Sequence, residues 1–173
     1  MWSPAISFDK GALAAGGLSA RQLATDFGTP TFFIDEDHFR ARAAAWAKAL
    51  EANFGSSAGN VYYAAKAFIC TDVARWIKEE GIGIDVCTGG ELAVALAGGI
   101  DPKKIEVHGN NKSVAEIDRA VAVGVKTIVM DSLFEIERVA AAATAHGVRQ
   151  AVMLRLTPGV EAHTHESIST AHE

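Results

Sequence analysis

Apolar and polar positions along this chain follow two periods in turn, and the switch between them recurs. Short runs of β-branched and apolar residues stand at Val61–Ala65, Ile82–Val86, Ile105–Val107, Thr127–Met130 and Ala151–Leu156. Their length and composition predict buried strands. Between them, apolar residues at helical spacing predict helices over about Thr71–Glu80, Gly89–Ala97, Ser113–Val123 and Leu133–His146. Gly81, Gly124 and Gly147 stand where a left-handed residue closes a helix. Ser113 and Glu116 have the spacing of a capping box. Upstream, Asp35 caps a predicted helix from Glu36 to Phe54, with Phe39, Ala43, Trp46 and Leu50 on one stripe. Thr31–Ile34 is a further strand candidate. Residues 1–30, rich in Gly, Ala and Ser, read as a loosely ordered lead-in.

The strand centres lie roughly 21 to 24 residues apart, and alternation at that interval predicts right-handed βαβ units and a parallel sheet. Two architectures accommodate five such units. One is an open, doubly wound sheet of flavodoxin type. The other is part of a (β/α)8 barrel, whose full form takes about 250 residues. A leucine-rich solenoid would need an LxxLxLxxN pattern that this chain lacks. Periodicity does not choose between sheet and barrel.

Composition narrows the partners. The chain has 173 residues and a formal net charge of −5, which suits one domain and gives no basic footprint for nucleic acid or an anionic membrane. No stretch approaches the ~20 apolar residues that span a bilayer. The first residues lack a basic segment followed by an apolar run, so no secretory signal is expected. Cys70 and Cys87 share no metal-ligand or CxxC spacing, which favours free thiols in a reducing cytoplasm.

Ligands bind at the carboxyl ends of the strands in either architecture. The polar residues expected there are Lys66, Asp85, Cys87, Thr88, His108 with Asn110, Asn111 and Lys112, Asp131, Ser132, and Arg155 followed by Thr157-Pro158-Gly159. Lys66 is the most informative. Lysine is seldom buried unless paired or employed, and desolvation at a strand end favours the neutral, nucleophilic amine that forms Schiff bases. Each residue also has a purely structural explanation: Thr88, Asp131 and Ser132 as helix caps, Asn110 and Asn111 as turn formers, Arg155 as a snorkelling side chain. The spacing of His163, His165 and His172 invites a metal, but no third ligand stands at a zinc-like interval. No metal is expected. Neither GxGxxG after a strand nor Walker A is present.

Several segments together resemble a known family. FGTPTFFID, VYYAAKAF, GIGIDVCTGGELAVAL, IEVHGNNKS, IVMDSLFEIERV and VMLRLTPGVEAHTHESIST, from about Phe27 to Glu173, resemble the N-terminal part of diaminopimelate decarboxylases. These belong to the fold-type III, alanine-racemase-like group of pyridoxal phosphate enzymes. The resemblance implies a partial (β/α)8 TIM barrel over residues 31–173, and Lys66 as the catalytic lysine that holds pyridoxal 5'-phosphate. It implies further cofactor contacts from Asp85, His108 and Arg155, the last toward the pyridine ring, with Glu91 in a packing role. The implied reaction is decarboxylation of meso-2,6-diaminopimelate to L-lysine by a cytoplasmic homodimer, the small amino acid being the only other partner. An ornithine- or arginine-type decarboxylase and a non-catalytic α/β binding module are the alternatives.

The resemblance also carries an expectation about what is lacking. The family's glycine-rich phosphate loops, a cofactor-stacking histidine and a C-terminal β-domain find no counterpart in these residues. A fragment ending before barrel closure is therefore expected, with weak cofactor affinity and little turnover of its own.

Overall fold

The structure, a computed structural model, describes residues 4–9, 11–55 and 59–156. Most of the described residues of the predicted loose lead-in form regular elements. Strands β1 (Ile6–Asp9), β2 (Ala12–Ala15) and β3 (Leu18–Ser19) form an antiparallel sheet that leads into helix α1 (Ala20–Phe27). Ala15 pairs with Leu18, so Gly16-Gly17 is a two-residue hairpin turn, and both glycines have positive φ, 55° and 80°. Only glycine takes that pair of conformations readily. The composition that suggested looseness is the chemistry of a tight turn. Ser19 then caps α1, its hydroxyl accepting from the Gln22 N–H at 3.1 Å.

Thr31–Ile34 forms no strand. No ladder of the described residues includes the segment, and Phe32, Phe33 and Ile34 are exposed; β propensity without a neighbour to pack on does not make a strand. Asp35 does cap the next helix, α2 (Glu36–Phe54), accepting from the His38 N–H at 3.0 Å. Of its predicted apolar stripe only Ala43 is buried, and Trp46 is 59% exposed.

From there strand and helix alternate as expected: β4 (Tyr62–Ala64), α3 (Thr71–Glu79), β5 (Gly83–Val86), α4 (Gly89–Ala97), β6 (Ile105–Val107), α5 (Val114–Val123), β7 (Thr127–Met130), α6 (Leu133–Ala145) and β8 (Val152–Leu154). The strands are parallel and lie in the order β4-β5-β6-β7-β8. A doubly wound sheet reverses its order at a switch point. This one does not, and consecutive helices from α2 to α6 pack side by side. Sequential order with one helical layer is the arc of a barrel.

Strand alternation divides the residues between two faces. Ile84, Val86, Ile105, Val107, Ile128 and Met130 pack into one core with Val73, Ile77, Leu92, Ile117, Val121 and Val139 from the helices. Each large aliphatic side chain buried there contributes about 1.5–3 kcal/mol. One contact has no slack: a Cβ on Gly98 would sit 2.3 Å from the Ala74 Cβ, so the α3–α4 packing requires glycine. The opposite face carries the row Ala64, Asp85, Glu106 and Thr127, aligned by the ladder register. Among the described residues no helix is long and apolar enough to cross a membrane.

Candidate functional site

The carboxyl end of the sheet gathers most of the polar residues picked out above. Asp85 is the third residue of β5, and two positions on, Cys87 lies just beyond the strand. His108 follows β6 directly, its N–H bonded to the Val86 carbonyl at 2.7 Å. That bond sets the imidazole beside the carboxylate: His108 Nε2 lies 4.0 Å from Asp85 Oδ2. Cys87 Sγ lies 3.9 Å from Asp85 Oδ1. Burial pushes the Cys87 thiol up from its ordinary range, the Asp85 and Glu91 carboxylates push it further, and the Lys66 ammonium opposes them. Lys66 thus faces the same mouth closely enough for its charge to be felt.

Lys66 itself differs from expectation. It lies in a single 3₁₀ turn, Ala65–Ala67, beyond β4, and is exposed while its neighbour Ala65 is 2% exposed. The strand ends one residue earlier than its apolar run suggested, which lifts Lys66 out of the sheet and removes the desolvation expected there. Its amine makes no hydrogen bond among the described residues.

The three helices that follow β5, β6 and β7 begin alike. Thr88, Ser113 and Ser132 are their N-caps, and a glutamate stands three residues further on in each. Glu91 accepts the Cys87 N–H at 2.5 Å, Glu116 the Ser113 N–H at 2.9 Å, and Glu135 the Asp131 N–H at 2.7 Å. A carboxylate at this place satisfies free N–H groups and favours the positive end of the helix dipole. Glu116 also accepts the Gly89 N–H at 2.7 Å, joining the starts of α4 and α5. These hydrogen bonds hold its carboxyl below the usual range. The expected capping box is present at Ser113. The related glutamates 91 and 135 follow from the repeated [ST]-x-x-E spacing, which sequence reading applied once and could have applied three times. Glu91, expected to support packing, holds the strand-end backbone.

Among the described residues the buried lysine is Lys112. Its side chain is 1% exposed, and its ammonium donates to the Gly109 carbonyl and, at 2.7 Å, to the Val129 carbonyl. Glu135 Oε1 lies 2.9 Å away, opposed in charge but outside hydrogen-bond geometry, so the pairing is ionic. Arg138 Nη1 donates to the Lys112 carbonyl at 3.3 Å. Sequence reading placed Lys112 in the β6 loop without a role and passed over Glu135.

Arg155 is not brought into contact with the others. β8 ends at Leu154, one residue short of it, and every residue of that edge strand is exposed. Its backbone N–H bonds the Met130 carbonyl at 3.0 Å, while its guanidinium is exposed and unpaired among the described residues. Asp131, on the neighbouring strand end, keeps one buried carboxylate oxygen without a hydrogen bond. Ser132 makes no side-chain cap bond although Thr88 does. Thr157-Pro158-Gly159, His163, His165 and His172 lie outside the described residues. Among the described residues no three His, Cys, Asp or Glu side chains are grouped to hold a metal.

A cavity lies elsewhere. About 860 Å³ in volume, it runs along the open edge of β4 and is lined mainly by apolar groups, including Phe39, Trp46, Val61 and Tyr63. Near the amino end of the sheet, Lys126 bonds the Tyr62 hydroxyl and lies 3.9 Å from Glu106. Burial, then Glu106, pushes the Tyr62 hydroxyl up, against the pull of Lys126.

Residues 36–173 match the family described as "Pyridoxal-dependent decarboxylase, pyridoxal binding domain". The diaminopimelate decarboxylase of Mycobacterium tuberculosis is 58% identical over 163 residues, covering 94% of this chain and 35% of that protein. The Mycobacterium leprae protein of the same name is 53% identical over 174 residues, covering 100% of this chain and 36% of its own length. The crystal structure of the M. jannaschii enzyme in complex with L-lysine superposes with a TM-score of 0.81 at 29% identity, covering 97% of this chain and 39% of that one. The chain therefore spans little more than a third of the length of the curated relatives it matches. The sheet is an arc of an alanine-racemase-like (β/α)8 barrel. By the family it matches over most of its length, this chain belongs to the pyridoxal-dependent decarboxylases, through their pyridoxal-binding domain.

Proposed function

We propose that this chain holds pyridoxal phosphate on Lys66 as the pyridoxal-binding domain of a meso-diaminopimelate decarboxylase. The observation that carries the reading is an exposed lysine amine, free of hydrogen bonds among the described residues, at the mouth where Asp85, Cys87 and His108 meet. The donor set fits the cofactor. A primary amine that no carboxylate engages is free to attack an aldehyde, whereas the buried amine of Lys112 is already committed. When bound, pyridoxal phosphate supplies an electron sink for the carbanion that decarboxylation leaves.

The rest is done by this chain's own side chains. Lys66, with its exposed amine, would hold the cofactor. Asp85, with His108 Nε2 4.0 Å from its carboxylate, would flank the cofactor at the mouth together with that imidazole. Arg155, just past the end of β8, the strand next to β7, would be a further cationic contact for the cofactor. The relatives named above support diaminopimelate as the substrate and L-lysine as the product. The reading extends to a cytoplasmic homodimer, whose oligomeric state sedimentation of the purified protein checks.

The test is covalent. The purified chain is incubated with pyridoxal phosphate, reduced with borohydride and mapped by mass spectrometry. The pyridoxyl group is expected on Lys66 and absent from Lys66→Ala. Labelling spread over the surface lysines, unchanged by that substitution, overturns the cofactor reading. Assay with meso-diaminopimelate against ornithine and arginine then decides the substrate.

A further inference from the structure

Lys112 has the burial that marks a lysine with a task, and the proposed chemistry does not use it. Its ammonium lies under the loop that joins β6 to α5, among groups from three places in the fold. One of its protons goes to the Gly109 carbonyl, in the Gly109–Asn110 peptide, one peptide unit beyond the His108–Gly109 link. A second goes to the Val129 carbonyl of β7 at 2.7 Å. The charge is balanced by Glu135, 2.9 Å away and 3% exposed, which in turn accepts the Asp131 N–H. The directed bonds therefore hold backbone, and the carboxylate supplies the counter-charge.

We propose that Lys112 is a positioning residue: it clamps the Gly109–Asn110 peptide to β7 and so fixes the backbone that carries the His108 imidazole at the mouth beside Asp85. The local backbone leaves His108 in need of such a clamp. Gly109 has a φ of 108°, a conformation that glycine tolerates and that few contacts would otherwise enforce. A Cβ there would lie 3.0 Å from the Cys87 carbonyl, so the loop passes tightly over the β5 end. On the other side the His108 N–H is tied to Val86. The backbone that carries the ring is thus held from before by the sheet and from behind by the Lys112 ammonium. The inference rests on the proposed role of His108 at the cofactor site, which is why its test does not depend on the cofactor.

Two variants that differ only at residue 112 separate positioning from mere support. Glu135→Gln removes the counter-charge but leaves both carbonyls bonded to Lys112. Lys112→Met in the Glu135→Gln background is neutral, similar in shape, and lacks the clamp. In cofactor-free protein, Glu135→Gln is expected to keep the wild-type cross-peaks between the His108 ring and the Asp85 and Cys87 side chains. The double variant is expected to lose them, and its Gly109–Asn111 amides to exchange at least about tenfold faster, the loss of one charge-assisted hydrogen bond. Should the methionine chain not fold, Lys112→Gln in the same background serves the comparison. Folded variants with identical His108 cross-peaks and equal exchange overturn the proposal. Added pyridoxal phosphate gives a second readout, expected to bind the double variant at least about tenfold more weakly than Glu135→Gln. If the wild type takes no cofactor on Lys66, the functional reading fails while the resonances still decide the role of Lys112.

Discussion

Two lysines stand at one sheet mouth with the β5 loop between theirs, and their surroundings are opposite. Lys66 sits on an exposed turn beyond β4 with no hydrogen bond among the described residues. Lys112 is sealed under the β6–α5 loop, bonded to two carbonyls and paired with Glu135. A lysine that must react has to reach solvent and ligand, and a lysine that must hold backbone has to be kept from both. The contrast extends to the loops themselves. The β4 loop leans on one 3₁₀ turn, whereas the β5, β6 and β7 loops are each fastened by a glutamate on the following helix.

The sharpest break in that comparison is between Lys66→Ala and Lys112→Met. Removing Lys112 leaves Glu135 buried without its counter-charge, at a cost of about 3–5 kcal/mol. Removing Lys66 from an exposed position changes stability by no more than about 0.5 kcal/mol. Urea unfolding of both variants checks the difference. Equal losses would show that the Lys66 turn is held as firmly as the Lys112 loop.

The helix starts allow a finer cut. Thr88 accepts the Glu91 N–H at 3.1 Å, while Ser132 makes no such bond. Thr88→Ala is therefore expected to cost about 1 kcal/mol and Ser132→Ala a few tenths, measured by thermal or urea unfolding. Glu116 adds a pH dependence. Its folded carboxyl titrates below the ordinary 4.5, so its contribution is whole above that value and is lost as pH falls through the lower folded value. Glu116→Gln should flatten the acid limb of stability against pH and leave the neutral region's slope unchanged.

Much of this was legible in the sequence because the outward strand faces are apolar at period two and the helices at period 3.6. Ile84, Ile105 and Ile128 could hardly point anywhere but into the core. That Asp85 and His108 stand at one mouth followed from strand ends in a parallel sheet; their 4.0 Å approach did not. Three things were not legible, each for a physical reason. The hairpin at Gly16-Gly17 was hidden by reading glycine as looseness instead of positive φ. The exposure of Lys66 depends on where β4 stops, which the apolar run Val61–Ala65 does not mark. The burial of Lys112 depends on Glu135, 23 residues on, and Coulomb pairing across that distance leaves no periodic trace; only the recurring [ST]-x-x-E spacing pointed there.

The smallest effect tests whether Lys66 faces the mouth at all. Cys87 is a half-buried thiol whose protonated form is favoured by burial and by the Asp85 and Glu91 carboxylates, with Lys66 alone acting against them. The thiolate is the reactive form, so alkylation rate reports the balance of those charges. Asp85→Asn should speed alkylation of Cys87 at pH 8, and Lys66→Ala should slow it, each by a factor of about two to ten at low salt. Glu91 is a poorer probe, because it also holds the Cys87 N–H and its loss would move the thiol. Peptide-resolved alkylation distinguishes Cys87 from Cys70, which serves as the internal control. A Cys87 rate indifferent to Lys66 but sensitive to Asp85 would mean that the lysine points away from the carboxylate. The exposed amine would then belong to the surface, and the likeness between the two loops would be only that each contains a lysine.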